Sequence, residues 1–335
     1  MKNRAHMFRI IGPLLLAGAA GCSGSPSILN PHGTAAGSVA SLTWLMFALA
    51  GGVLLAITSL LWMVYRRSRR DQEEKDLYAN DPLYLRNIVL GGAVAPILIL
   101  LIIMGLGIRV GQFPAAPGNR PQVDIEIIGH QWWWEVRYAN QAFTTANEIH
   151  IPVGKPVTLH LTSADVIHSF WVPELHGKMD LIPGQTNTIT IEADRVGTYR
   201  GQCAEFCGVQ HAHMAFLVIA QKADDFNAWV DGQNSSSLQP QVGSIEQAGQ
   251  QAFLGSACVY CHTIQGTNAS GHLGPDLTHL ASRQTIGADL LPNTPGNLAG
   301  WILNSQSMKP GNHMPPMDMN GVQVQALLAY LATLK

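Results

Sequence analysis

The sequence predicts a membrane protein in three parts: a pair of transmembrane helices, an exported all-β sandwich or barrel, and a small C-terminal module with helical ends. Three observations carry this. No Asp, Glu, Lys or Arg occurs from Ile10 to Tyr65, and a second uncharged run follows at Asn87–Ile108. Period-two alternation fills the stretch from Gln122 to about Gln221. Beyond it, Gly and Pro fill the middle of a segment whose two ends have helical patterning. Of the 335 residues, 47% are hydrophobic and only 13% charged, about half the charged share of an ordinary soluble protein. A net charge of −2 argues against a nucleic-acid binder, and the apolar content excludes a disordered chain.

The N-terminus combines Lys2, Arg4 and Arg9 with the apolar run Ile10–Ala17 and then small residues. That is the layout of an export signal, assigned to residues 1–21. Ala19-Ala20-Gly21-Cys22 resembles a bacterial lipoprotein processing site, with Cys22 as the lipidated residue; plain signal cleavage nearby is the alternative.

Leu42–Val64 is uncharged and spans about 35 Å as a helix, enough to cross a hydrocarbon core of about 30 Å. Asn87–Ile108 is bounded by Arg86 and Arg109 and contains Pro96, which a spanning helix tolerates when its neighbours compensate. Together they predict a hairpin over residues 38–110. Arg66, Arg67, Arg69, Arg70, Lys75 and Arg86 lie between the spans, whereas Cys22–Leu42 holds no basic residue. The connecting loop is therefore expected in the cytoplasm and everything after Arg109 outside. This places a multi-pass chain in a bacterial inner membrane, with its C-terminal domains on the periplasmic face.

Pro114–Arg120 reads as a linker into a β-domain at 120–222. Val157, Leu159 and Leu161 alternate with Thr158, His160 and Thr162, and Pro152-Val-Gly154 and Pro183-Gly184 supply turns. Short strands at this spacing point to an antiparallel sandwich or barrel. Residues 223–243 are expected to form a linker, with Asp231–Pro240 its flexible part. The last module occupies 244–335.

Two groups of residues carry redox chemistry. The first is Cys203-Ala-Glu-Phe-Cys207-Gly-Val-Gln-His211-Ala-His-Met214, preceded by His168. Two thiolates, two imidazoles and a thioether select copper among common metals. A mononuclear blue-copper site needs only one Cys, so the second thiolate points to a bridged dinuclear centre suited to one-electron transfer. A disulfide, a structural zinc site and a surface role for His211 are the competing readings. The second group is Cys258-Val-Tyr-Cys261-His262, the signature of covalent haem c attachment, with His262 as an axial ligand. Gly274-Pro275-Asp-Leu277 follows as in class I cytochromes c, where the proline carbonyl accepts the proximal His N–H. The sixth ligand is a thioether from Met308, Met314, Met317 or Met319. Gly-Asn-x-Met-Pro resembles the axial loop of fused cytochrome c domains, so Met314 leads and Met317 is second; His313 beside it is a possible competitor.

The N-terminal two thirds closely resembles cytochrome c oxidase subunit II. The resemblance covers both spans and the β-domain, including Gly129-His-Gln-Trp-Trp-Trp-Glu135, Asp165-Val-Ile-His168-Ser-Phe-Trp-Val-Pro173 and Tyr199-Arg-Gly-Gln-Cys-Ala-Glu-Phe-Cys-Gly208. It implies a cupredoxin-like Greek-key barrel holding two copper ions as the CuA centre, with His168, Cys203, Cys207, His211, Met214 and the carbonyl of Glu205 as ligands. It also implies a Mg²⁺ at the subunit I interface, reached by the Glu205 carboxylate, and Trp132 as the point where electrons enter. With the class I cytochrome c domain at its end, the chain is similar to those subunits II that carry a fused cytochrome c. Such a subunit passes electrons from haem c to CuA and on to subunit I, where O2 is reduced to water. The implied partners are subunits I and III, membrane lipid, and cytochrome c or an upstream cytochrome complex as donor, with no nucleic acid. Neither span contains a His, so the O2-reducing site lies in another chain. Quinol-oxidase relatives that lost copper are set aside because all six ligand positions are intact. A stand-alone membrane-anchored copper and haem electron-transfer protein is the alternative function.

Overall fold

A computed structural model describes residues 26–68, 82–111 and 123–335. The expected signal at 1–21, Cys22, Arg69, Arg70, Lys75 and the Pro114–Arg120 linker lie outside the described residues. Helix α1 (Thr34–Ser68) pairs with a rod made of α2 (Pro82–Val89), a π-helical turn (Leu90–Val94) and α3 (Ala95–Gly111). α1 touches α3. The membrane-compatible helix runs to 34 and 27 residues, about 50 and 40 Å at 1.5 Å per residue. Both therefore extend past the expected spans at 42–64 and 87–108. The π-turn sits just before Pro96, which has no N–H for the Gly92 carbonyl and crowds it; widening the helix there relieves the conflict.

The N-terminal side of α1 extends beyond its span because it rests on the β-domain. The His32 N–H donates to the Glu174 carbonyl at 2.7 Å and the Asp194 N–H to the His32 carbonyl at 2.8 Å. Ala35, Ala36 and Ala40 are buried. A Cβ at Gly33 would lie 2.5 Å from the Leu175 carbonyl oxygen, so only glycine allows this approach.

The β-domain holds β1 (Asp124–His130), β2 (Trp133–Tyr138), β3 (Phe143–Ala146), β4 (Glu148–Pro152), β5 (Val157–Ser163), β6 (His168–Trp171), β7 (Met179–Leu181), β8 (Asn187–Ile191), β9 (Gly197–Cys203) and β10 (Ala215–Gln221). Among the described residues they form two five-stranded sheets, β3-β2-β1-β5-β8 and β4-β10-β9-β6-β7. The sheets are mixed, which corrects the antiparallel expectation: β1 pairs with β5 and β4 with β10 in parallel. Alternation reveals which face of a strand is buried but not which strand lies beside it. The expected face is the buried one: Val157, Leu159 and Leu161 are fully buried. Trp134, Phe170 and Phe216 fill the centre, with the Phe170 and Phe216 rings stacked at 4.5 Å.

Residues 223–243, expected as a linker, begin with helix α4 (Ala223–Gln233). Phe226 joins the β-domain core, and the Trp229 indole stacks on the His150 ring at 3.9 Å. Asp224 and Asp225 occupy its first turn, where acidic charge favours a helix. Only the stretch after Gln233 remains as connector; the Asp231–Pro240 composition concealed the helix's last turn.

The C-terminal module contains α5 (Ile245–Leu254), the single turn α6 (Cys258–Cys261), a two-residue pairing of β11 (Thr285–Ile286) with β12 (Leu291–Pro292), α7 (Pro295–Met308) and α8 (Gly321–Leu331). Its ends are helical as expected. Helix α7 was concealed in the Gly/Pro-rich middle, although Thr294 as N-cap and Pro295 in the first turn mark its start. α5 and α8 cross in close contact at Gly249, where a Cβ would lie 1.9 Å from the Ala326 carbonyl oxygen. Gly249→Ala is expected to force the helices apart and cost about 1–3 kcal/mol, read as a lowered midpoint in thermal unfolding of the C-terminal module.

Candidate functional site

The sulfur-rich loop leaves the second sheet between β9 and β10. Register places its ends side by side: Phe170 of β6 pairs with Cys203, and the Cys203 N–H donates to the Met214 carbonyl at 2.9 Å. The Cys203 and Cys207 sulfurs lie 3.8 Å apart, far beyond the bond length of about 2.05 Å that a disulfide requires. Cys203 Sγ faces His168 Nδ1 at 3.9 Å and the Glu205 carbonyl at 3.2 Å. Cys207 Sγ faces His211 Nδ1 at 3.6 Å and Met214 Sδ at 3.7 Å. Each sulfur thus has one imidazole and one weak donor beside it. All six positions named from the sequence converge.

Burial and charge hold the two sulfurs in different protonation states. Its hydrogen bond with Cys207 pulls the Cys203 thiol down to about 3, aided by His168 against burial. The Cys207 thiol is pushed up by the Cys203 sulfur and by burial. Two adjacent thiolates do not both ionise without positive charge between them. The mixed sulfur, imidazole, thioether and carbonyl set suits copper.

The surroundings hold His168 in one orientation. Its Nε2 meets the Asp165 carboxylate at 2.8 Å, leaving Nδ1 toward the sulfur. Asp165 also accepts the Gln131 and Val166 N–H groups, each at 2.6 Å. At Gly129 a Cβ would lie 2.6 Å from the His168 ring. Asp165 and Gly129 lie within the motifs named above, and neither residue type announces a role by itself. The signal available was the Asp-x-x-His spacing. The Glu205 side chain is exposed while its carbonyl points inward to Cys203.

A cavity of about 480 Å³ opens beside this loop, lined by Cys258, Cys261 and His262 of the C-terminal module. His262 Nδ1 lies 2.8 Å from the Pro275 carbonyl, so the ring donates there and keeps Nε2 as its lone-pair nitrogen. Burial pushes the imidazole pKa down, favouring that neutral form, and the bond to Pro275 opposes it. A Cβ at Gly274 would lie 2.8 Å from the ring. Of the four methionines, Met314 and Met317 line the cavity; Met308 instead packs on Gly300. The Met314 backbone is tied by Asn312, Ser305 and Gln306. Arg283 also lines the cavity, and its buried Nε has no hydrogen-bond partner. An orphaned guanidinium N–H inside a cavity fronted by a Cys-x-x-Cys-His turn fits a haem with acidic side groups.

The two sites share a wall. Trp132, Trp133 and Asn147 of the β-domain complete the cavity. The Trp132 indole N–H donates to the Cys207 carbonyl at 3.0 Å, and its ring lies 5.4 Å from that of His313. At the rim, Glu148 accepts the Gln284 and Thr285 N–H groups at 2.7 and 2.9 Å, and Arg200 pairs with Asp289 at 2.8 Å.

Known proteins resemble this chain over both domains. The family described as "Cytochrome C oxidase subunit II, periplasmic domain" matches residues 141–221, and the family "Cytochrome c" matches 246–335. A cytochrome c oxidase subunit 2 of Alkalihalophilus pseudofirmus is 38% identical over 328 residues, spanning 94% of this chain and 93% of that protein. One of Bacillus sp. (strain PS3) is 28% identical, spanning 98% of this chain and 97% of that protein. The solved periplasmic domain of the cytochrome oxidase subunit II of Bradyrhizobium japonicum is 30% identical, with a TM-score of 0.34, over 34% of this chain and 95% of that one. The chain belongs to the cytochrome c oxidase subunit 2 family, as a membrane-anchored oxidase subunit with a cytochrome c domain at its C-terminal end.

Proposed function

We propose that this subunit conducts electrons from a haem c on its C-terminal domain (244–335), through Trp132, to two copper ions on its β-domain (120–222), and on to subunit I for reduction of O2 to water. One observation carries the reading: Trp132 walls the haem cavity and donates a hydrogen bond to the carbonyl of Cys207. When bound, the haem and the copper pair would supply one-electron exchange.

The chain's own groups supply attachment, orientation and insulation. Cys258 and Cys261 hold the porphyrin as thioethers, and His262 and Met314 ligate its iron. His168, Cys203, Cys207, His211, Met214 and the Glu205 carbonyl hold copper. Asp165 orients the first of these imidazoles, as carboxylates do for metal-bound histidines. The buried core behind the loop restrains ligand motion between redox states. Covalent fusion keeps the donor at high effective concentration beside its acceptor. The exposed Glu205 carboxylate is free to reach a Mg²⁺ shared with subunit I. The natural setting is a bacterial inner membrane, with both domains on the periplasmic face, Cys22 lipidated, subunits I and III as partners, and cytochrome c or an upstream cytochrome complex as donor.

The purified holoprotein is expected to contain two coppers and one haem per chain by metal and pyridine-haemochrome analysis; zinc, or a single copper, overturns the site. Met314→Leu is expected to abolish the long-wavelength Met–iron charge-transfer band, whereas its survival moves the ligand to Met317. Asp165→Asn should weaken copper retention about 10–100-fold, measured by competition with a chelator.

A further inference from the structure

We infer that Lys309 is a positioning residue for electron transfer between the two domains, its buried ammonium clamping the main chain of Trp132 and His213 to that of Gly287. This rests on the function proposed above and adds a part to it.

Lys309 follows α7 and is only 2% exposed. Its Nζ donates to the carbonyls of Trp132 at 2.8 Å, His213 at 2.7 Å and Gly287 at 2.9 Å. An ammonium has three donors, and here each has one acceptor. The acceptors come from three separate segments. Trp132 lies between β1 and β2, His213 is in the sulfur-rich loop next to Met214, and Gly287 is in the β11–β12 turn of the C-terminal domain. No carboxylate pairs with Lys309 among the described residues; three carbonyl dipoles and the nearby Cys207 sulfur offset part of the cost of burying its charge, and burial still pulls its pKa down to about 7.

The location gives the clamp its consequence. The Trp132 backbone is held by Lys309 while its indole reaches the Cys207 carbonyl. Gly287, on the other side, also lines the haem cavity. One nitrogen therefore touches the haem wall, the Trp132 main chain and the sulfur-rich loop at once, the one group that bonds all three. Two further bonds join the same segments, from Gln210 Nε2 to the Pro310 carbonyl at 2.6 Å and from the Ala215 N–H to the Ala288 carbonyl at 3.2 Å, while Arg200 with Asp289, farther off, is a half-exposed pair of a kind worth about 0–1 kcal/mol. An arginine presents a planar fork and does not reproduce three converging donors.

In the holo-oxidase, haem c is flash-reduced and its reoxidation is followed against copper reduction. Lys309→Met is expected to slow this step by about 10²-fold, the scale at which misplacement of about 1 Å acts. Lys309→Arg keeps the charge, so both reduction potentials should stay near wild type while transfer still slows. Arg200→Gln, which cuts a different cross-domain contact, should leave the rate unchanged. Wild-type transfer in both Lys309 variants, or equal slowing in Arg200→Gln, overturns the inference. Amide hydrogen exchange supplies a readout independent of the centres: Lys309→Met should raise exchange around Ala288 and Trp133, and unchanged exchange there also overturns it. Absence of haem or copper from the wild-type protein would instead defeat the proposed function while leaving the exchange test standing.

Discussion

The hydrogen bond from the Trp132 indole to the Cys207 carbonyl joins a sulfur-lined loop to an apolar cavity across a single side chain. The proposed electron transfer requires that the two centres lie close and stay close, and the fold meets this by building the cavity incompletely. Its cytochrome-like half comes from residues around His262, and the β-domain supplies the missing wall. Either domain alone would leave that wall in water. Docking is therefore part of forming the site, and the short connector after Gln233 ensures that the partner is always at hand.

Rigidity at the loop comes from the sheets beneath it. β6, β9 and β10 are adjacent in the second sheet, so His168, Cys203 and Met214 issue from neighbouring strands with their backbones bonded together. Glycine serves where ring meets strand. At Gly201 a Cβ would lie 2.1 Å from the Phe216 ring, which is itself locked against Phe170 and Trp134. A site set on packed strands changes little in geometry when its charge changes.

The membrane hairpin and the exported domain are also coupled. The His32 N–H, just before α1, donates to the Glu174 carbonyl and the Ala36 N–H, in its first turn, to the Leu175 carbonyl, so the first helix leaves the β-domain from a fixed point. That constrains how far the sulfur-rich loop can tilt relative to the two apolar helices.

Chemistry that is local in sequence was legible without coordinates. Cys203, Cys207, His211 and Met214 lie within twelve residues, and Cys258, Cys261 and His262 within five, so spacing alone limits their geometry. The uncharged runs declare helices because lipid admits no unpaired backbone. Parallel pairing of β1 with β5, the docking of α4 through Trp229 and the bond from His168 to the Asp165 carboxylate show how far pattern reading reaches. The first two were missed because alternation and composition describe a residue's own surroundings, not its distant neighbour. What only the tertiary structure decided is the meeting of the two redox segments. Lys309 lies 177 residues from Trp132 and 96 from His213, and nothing in either stretch signals the other. Their contact is set by the packing of two domains, a property of surfaces that no single segment contains.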